Sequence, residues 1–307
     1  MPTAFITHDD CQLHDMGEIH PECPGRLGAI QDQLLASGIH GVLYHHDASE
    51  ATREQLLRVH TPGYLAMLDA QSPRNSTVQI DRDTILTPHT LRAARLAAGA
   101  VIKAVDLVMA GVVQNAFCAV RPPGHHAERS KAMGFCFYNN VAVGAAHALE
   151  IHELERVAVI DFDVHHGNGT EDIFQHDPRV MLCSTFQHPL FPYSGHEPTG
   201  RNIISCPLPP GASGARFREA VMDVWLPNLE IFRPEMIFIS AGFDAHRDDD
   251  MADLRLTEPD YAWVTRQLLQ LAETHAGGRV VSTLEGGYEL HALGRSVTAH
   301  LKELSGV

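Results

Sequence analysis

The sequence predicts a single α/β domain in which helices cover a central parallel sheet, and three observations predict it. Short apolar runs alternate with stretches of helical period along all 307 residues. No internal repeat and no low-complexity linker divides them. Four of the apolar runs end, on their C-terminal side, in His, Asp, Tyr or Gly residues of the kind that do chemistry, and a parallel sheet gathers such ends together.

Taken in order, Phe5 to His8 reads as a first strand, and the loop through His20-Pro21-Glu22-Cys23-Pro24 leads into a helix from about Arg26. Thr52-Arg53-Glu54-Gln55 has capping-box spacing, so a helix opens there and stops before Thr61-Pro62-Gly63. A second short helix covers Tyr64 to Leu68, and Asp69 to Asp83 reads as a surface loop. Thr87 and Pro88 begin the clearest helix, Leu91 to Met109, which Gly111 ends. Ala116 to Val120 is a strand stopped by Arg121-Pro122-Pro123-Gly124, which places His125 and His126 just beyond it. A helix follows from about Asn140 to Leu149. Further strands are Val180 to Thr185, Met236 to Ser240 and Val280 to Thr283, the last two running into Gly242-Phe243-Asp244 and Glu285-Gly286-Gly287-Tyr288. Thr257 and Asp260 bracket Pro259 as a capping box for a helix that runs to about His275 and stops at Gly277-Gly278.

The most informative stretch is Arg156 to Thr170, RVAVIDFDVHHGNGT. Val157 to Ile160 form a β-branched run too short for a typical helix, and Asp161, Asp163, His165 and Asn168 follow. Asp163 and His165 are two apart, so on extended backbone they share a face and can grip one metal ion. Oxygen and imidazole nitrogen suit zinc. A buried strand whose Asp and His only hydrogen-bond loops is the alternative for this segment taken alone.

Composition narrows the function classes. Hydrophobic residues at 44% and charged residues at 20% describe an ordinary globular chain. The net charge of −15 argues against nucleic acid and suits cationic partners such as polyamines or lysine-rich peptides. The cysteines Cys11, Cys23, Cys118, Cys136, Cys183 and Cys206 form no CxxC pair, which removes zinc-ribbon and thioredoxin readings. The N-terminal residues lack a secretory pattern and no run is long enough to span a membrane, so a reducing cytoplasm is expected.

RPPGHHAE (121–128), GFCFYNNVAVGA (134–145), DFDVHHGNGT (161–170), SAGFDAH (240–246) and LEGGY (284–288), with HPECPGRL (20–27) and VHTPGYL (59–65), carry a family resemblance. In order and spacing the chain resembles the zinc-dependent histone deacetylase and acetylpolyamine amidohydrolase family, most like its class II and bacterial branches. The resemblance implies one arginase/deacetylase-type domain over 1–307, with an eight-stranded parallel sheet and an active site at the C-terminal strand ends. It assigns a catalytic zinc to Asp163, His165 and Asp244, leaving positions open for water and substrate. It makes His126 the residue that takes the water proton and returns one to the leaving amine. His125, oriented by Asp161, acts electrostatically, and Tyr288 donates to the developing oxyanion. Gly286 and Gly287 let the backbone aim that tyrosine. Asn168, a carboxylate in class I members, partners His126, and a neutral partner raises the imidazole pKa less than an anion does.

Gly134, Phe135 and Phe191 match the family's acyl-lysine channel. Asp161, Asp163, His165, Ser184 and Thr185 match a structural potassium site built largely from main-chain carbonyls. Asp81 or Asp83 is expected to meet a substrate backbone. His8, His14, His20, His45, His46 and His246 are expected at the surface or in loops, and His166 as a packing residue. Asp248-Asp249-Asp250 with Asp253 reads as a solvated loop, or else as an acidic rim.

An arginase-type dimanganese hydrolase would need more strand-end aspartates than SAGFDAH supplies. A non-catalytic acyl-lysine binder would be expected to lack a ligand, the base or the tyrosine, and all are present. The substrate stays open between acetyl-lysine in proteins or peptides and acetylated polyamines. Met251 stands where polyamine-selective relatives often carry glutamate, whereas HPECP resembles a turn that narrows the site in some polyamine deacetylases. Acyl length and oligomeric state, monomer or homodimer, stay open as well.

Overall fold

The computed structural model describes residues 2–197 and 199–307. Its strands, in chain order, are β1 (Thr3–Thr7), β2 (Tyr44–Asp47), β3 (Val78–Gln79), β4 (Ile85–Leu86), β5 (Asn115–Cys118), β6 (Val157–Asp161), β7 (Val180–Gln187), β8 (Ile203–Leu208), β9 (Met236–Ala241) and β10 (Val280–Leu284). Eight of them form one sheet in the order β2-β1-β5-β10-β9-β6-β7-β8. Every neighbouring pair in it is parallel. The fold is therefore the single α/β domain expected, with the strand number the resemblance implied. The inner strands are buried along their whole length, which is why they read as continuous apolar runs rather than as alternation.

Helices cover the sheet in two groups. Gly25–Ser37 and Glu258–His275 both pack on Leu290–Ser305, while Thr90–Met109 packs on Asn140–Glu150. The capping boxes at Thr52 and Thr257 both form. The first opens only one turn, Arg53–Leu56, before the chain bends toward Thr61, so the helix expected there is shorter than the spacing suggests. Asp69 to Asp83 is likewise not all loop. The helix beginning at Pro62 runs to Gln71, and β3 pairs antiparallel with β4.

Within the eight-stranded sheet, two strands escaped the sequence because they lie at its edges. β2 carries Tyr44, His45, His46 and Asp47, polar residues that blunt an edge, and β8 contains Pro207, whose missing N–H is tolerated there.

One fully buried polar cluster is ionic. Glu22, Arg26 and Arg121 are all completely buried. Glu22 accepts from Arg121 Nε at 2.5 Å and Nη2 at 2.7 Å, and from Arg26 Nη1 at 3.1 Å. Burial pushes the Glu22 pKa up, but the two guanidiniums outweigh it and hold it down at about 2. His14, expected at the surface or in a loop, lies in a loop but is buried beside this group, bonded to Thr90 Oγ1 at 2.9 Å, and burial lowers its pKa to about 4. Glu22→Gln leaves two buried cations short of an anion, and we expect it to cost about 3–5 kcal/mol in a urea melt. The wild-type contribution has a definite sign. Because the folded pKa lies below the ordinary 4.5, the stabilisation is present above pH 4.5 and is lost as pH falls toward 2. A loss below 1 kcal/mol at neutral pH would contradict this account.

Candidate active site

The four strands that end in chemistry-bearing residues are neighbours, β5-β10-β9-β6. Their C-terminal ends are level: Cys118 lies opposite Thr283, Leu284 opposite Ala241, and Ser240 opposite Asp161. The segments that follow them therefore leave the sheet side by side, and the residues singled out in the sequence converge.

Asp163, His165 and Asp244 offer ligand atoms all within 4.8 Å of one another, and all three are buried. His165 Nδ1 lies 3.0 Å from Asp163 Oδ1 and 3.1 Å from Asp244 Oδ2. One N–H cannot serve both, and Asp244 Oδ2 has no hydrogen-bond partner. Backbone amides steady the remaining oxygens: Val164 N donates to Asp244 Oδ1 at 2.9 Å, and Gly286 N to Asp163 Oδ2 at 2.8 Å. Burial and the Asp163 charge both push the Asp244 pKa up. Two buried carboxylates and an imidazole aimed at one point, with one oxygen unpaired, fit a divalent cation and are costly without it. A methyl group on Gly286 would lie 2.1 Å from Asp244 Oδ2, so only glycine lets the loop approach, and the neighbouring Gly287 has φ +119°.

Beside this cluster lie two histidines whose rings are 4.0 Å apart. His125 Nδ1 meets Asp161 Oδ2 at 2.9 Å. Burial lowers its pKa, but Asp161 and Asp163 outweigh burial and lift it to about 10. His126 Nδ1 meets Asn168 Oδ1 at 2.8 Å, and burial, with His125 and His165 adding to it, drives its pKa well below the usual histidine value. Neighbouring imidazoles are thus pushed in opposite directions, His125 toward the charged form and His126 toward the neutral one.

A cavity of about 470 Å³ opens onto His126, His165 and Tyr288. Phe135 and Phe191 stand on its walls, the Phe191 ring against that of His126 at 5.1 Å, and Gly134 packs beside both. Gly134 has φ +55°, and a Cβ there would come within 2.5 Å of the His126 ring. Asp81, Arg82, Asp83 and Met251 also line the cavity. The HPECP turn reaches its wall through His20, whose ring lies 4.7 Å from Phe135, while Glu22 is turned inward to its arginines. Ser184 sits opposite Asp161 in the sheet with its Oγ buried and unpartnered, and Thr185 follows it.

Several residues that hold the site were not singled out for it. Arg26 donates to the carbonyls of Glu285 and Gly287 and lies over the Tyr288 ring, 4.9 Å from its centroid. Glu285 is buried and accepts from the amides of Gly124 and His125, tying two active-site loops together. Asp249 corrects the expectation of a solvated acidic loop. It is 5% exposed and accepts from the amides of Tyr288 and Glu289 at 2.6 and 3.0 Å. His246, expected in a loop, is buried as well, while His166 packs on Phe186 and bonds Glu171, as a packing residue should. No periodicity marks Arg26, Glu285 or Asp249; only their place beside motif residues does.

Among the described residues a second cluster, Asp106, His147 and His152, also brings ligand atoms within 4.8 Å. Here Arg58 Nη1 donates to His147 Nδ1 at 2.9 Å, so the proton is on Nε2 and points at Asp106. That cluster is a satisfied hydrogen-bond group.

A sequence model described as the Histone deacetylase domain matches residues 20–304. The chain belongs to the histone deacetylase family. Among its relatives are a histone deacetylase-like amidohydrolase of Pseudomonas aeruginosa, 39% identical over 94% of this chain and 77% of that protein, and a probable deacetylase of Archaeoglobus fulgidus, 37% identical over 94% and 82%. The polyamine deacetylase HDAC10 of Mus musculus is 37% identical, with this chain spanning 48% of its length. The solved HDA15 HD domain superposes with a TM-score of 0.93 at 35% identity, covering 99% of this chain and 88% of that one. As a family member the chain is a deacetylase-type hydrolase. Among the described residues no helix is long and apolar enough to cross a membrane.

Proposed function

We propose that this chain is a zinc-dependent amidohydrolase that removes acetyl or other short acyl groups from the ε-amine of acyl-lysine in proteins or peptides. The observation that carries the proposal is one cavity lined by Phe135 and Phe191 together with His126, His165 and Tyr288, since aromatic rings suit an aliphatic stem and the polar residues would supply a base, a cation site and a donor. A zinc ion held by Asp163, His165 and Asp244 would supply Lewis-acid polarisation of the acyl carbonyl and a lowered pKa for the attacking water. His126, neutral, takes the water proton on Nε2 and passes a proton to the leaving amine, so that amide and water become carboxylate and amine. His125, charged and fixed by Asp161, lowers the energy of negative charge gathering beside it. Tyr288, whose pKa burial raises well above the usual value, keeps its proton and donates it as a hydrogen bond to the carbonyl oxygen.

Acetylated polyamines are the second reading, favoured by the relatives named polyamine deacetylases. Met251, not a carboxylate, at the cavity wall weighs against it. A potassium ion at Asp161, Ser184 and Thr185 belongs to the proposal as a structural element, and the six free cysteines suit a reducing cytoplasm. Neither nucleic acid nor membrane enters it. The test is kcat/KM of the zinc-loaded protein on acetyl-lysine peptides and acetylated polyamines, with Tyr288→Phe as the control for contaminating activity. Faster peptide hydrolysis, lost in the control, is expected. A polyamine preference of about tenfold, some 1.4 kcal/mol in the transition state, would reverse the order of the two readings.

A further inference from the structure

Asn168 meets His126 through an amide, and an amide, unlike a carboxylate, has two faces: Oδ1 holds a proton on His126 Nδ1, whereas Nδ2 would present a donor and favour the other tautomer. Something must decide which face is shown. Asn168 Nδ2 donates to Glu128 Oε1 at 2.8 Å. Its other neighbours are weaker, the His126 carbonyl at 3.5 Å and Met133 Sδ at 3.4 Å. Glu128 is firmly mounted. Its N–H donates to the Lys131 carbonyl at 2.9 Å, and its own carbonyl meets His60 Nδ1 at 3.0 Å. His60 Nε2 accepts from the Asn139 amide, so His60 must donate through Nδ1 to Glu128. Asn168 is fixed from the other side, since the next two amides, Gly169 and Thr170, both donate to the His125 carbonyl.

We propose that Glu128 is a positioning residue for His126: by accepting from Asn168 Nδ2 it fixes the amide with Oδ1 toward His126, keeping the proton on Nδ1 and the lone pair on Nε2. This rests on reading His126 as the base. A catalytic imidazole held in the wrong tautomer can lose about 10⁴ in rate, so partial loss of the correct one is measurable.

The test pairs charge and polarity at the two positions. In the metal-loaded protein, Glu128→Ala lowers kcat by roughly 10- to 100-fold with little change in KM, and Glu128→Gln, which still accepts through its amide oxygen, restores it. Asn168→Asp alone sets two carboxylates face to face and loses activity; adding Glu128→Gln supplies a donor and recovers it. Nitrogen-15 ring spectra of the metal-free protein, with the His126 signal assigned by His126→Ala, read the tautomer independently of any substrate. They are expected to show Nδ1–H in wild type and Glu128→Gln, and its loss in Glu128→Ala. Absence of turnover in wild type would count against His126 as base while leaving the spectra to decide the role of Glu128. An unchanged tautomer in Glu128→Ala, or a double variant no faster than Asn168→Asp, overturns the proposal.

Discussion

His126→Ala is expected to lower kcat by about 10²–10⁴ while leaving metal content unchanged. The ring lies beside the ligand cluster without belonging to it: its centroid is 5.8 Å from that of His165, and its hydrogen bond runs to Asn168. Metal content by atomic absorption, taken with turnover on the preferred substrate, separates the two roles, and a loss of less than tenfold would remove His126 from the chemistry. The same residue sets a pH signature. Its folded pKa lies well below 6.5, so protonation arrives only at lower pH and activity persists as pH falls through the ordinary histidine range. A kcat/KM profile that breaks at about 6.5 would contradict this. In the Glu128→Gln background, Asn168→Asp places an anion against Nδ1, raises the imidazole pKa and moves the acid limb upward.

The inner sheet was legible because burial on both faces leaves one signature, a continuous apolar run, and because the polar residues that gather at the site follow soon after the ends of β5, β6, β9 and β10. The helix Leu290–Ser305 was also legible in principle, for Leu293, Val297, Leu301 and Leu304 recur at helical spacing and are all buried, and Gly306 at φ +72° ends it. Edge strands β2 and β8 were hidden by the polar residues and proline that protect them.

The site divides in the same way. Asp163 and His165 sit in one motif, so the sequence finds them together, although they lie in the bend just beyond β6 rather than on the extended backbone their spacing suggested. Glu22, Arg26, Glu285 and Asp249 act on backbone groups or on buried partners, and Glu128 acts on the Asn168 side chain 40 residues on. Three adjacent aspartates look solvated until one is seen to accept two amides of the tyrosine loop. Charge in a sequence says what a residue could pair with, but burial, which decides whether it must pair, belongs to the fold.

Asp244→Asn is expected to abolish metal binding and at the same time to stabilise the metal-free protein. In the wild type, Asp163 and Asp244 are buried carboxylates whose mutual repulsion, added to burial, pushes the Asp244 pKa up, and Asp244 Oδ2 has no donor. An asparagine keeps the acceptor for the Val164 amide, removes the like charge, and turns the unpaired oxygen into a donor facing Asp163 and His165. Relief of about 1–2 kcal/mol corresponds to a rise in Tm of about 1.5–3 °C for a chain of 307 residues. The loaded protein moves the other way. Even residues that only support metal ligands cost about 10- to 100-fold in affinity, so replacing a charged ligand by a neutral amide costs more, and the zinc-induced rise in Tm disappears with the activity. Thermal melts with and without zinc, for wild type and variant, give four temperatures that test both halves. A metal-free variant that melts below metal-free wild type would mean that Asp244 is held for structure, and a persisting zinc shift would mean that the cation is bound elsewhere. The expected crossing, higher without metal and unresponsive with it, is the signature of a site kept at a cost to stability by its need for a cation.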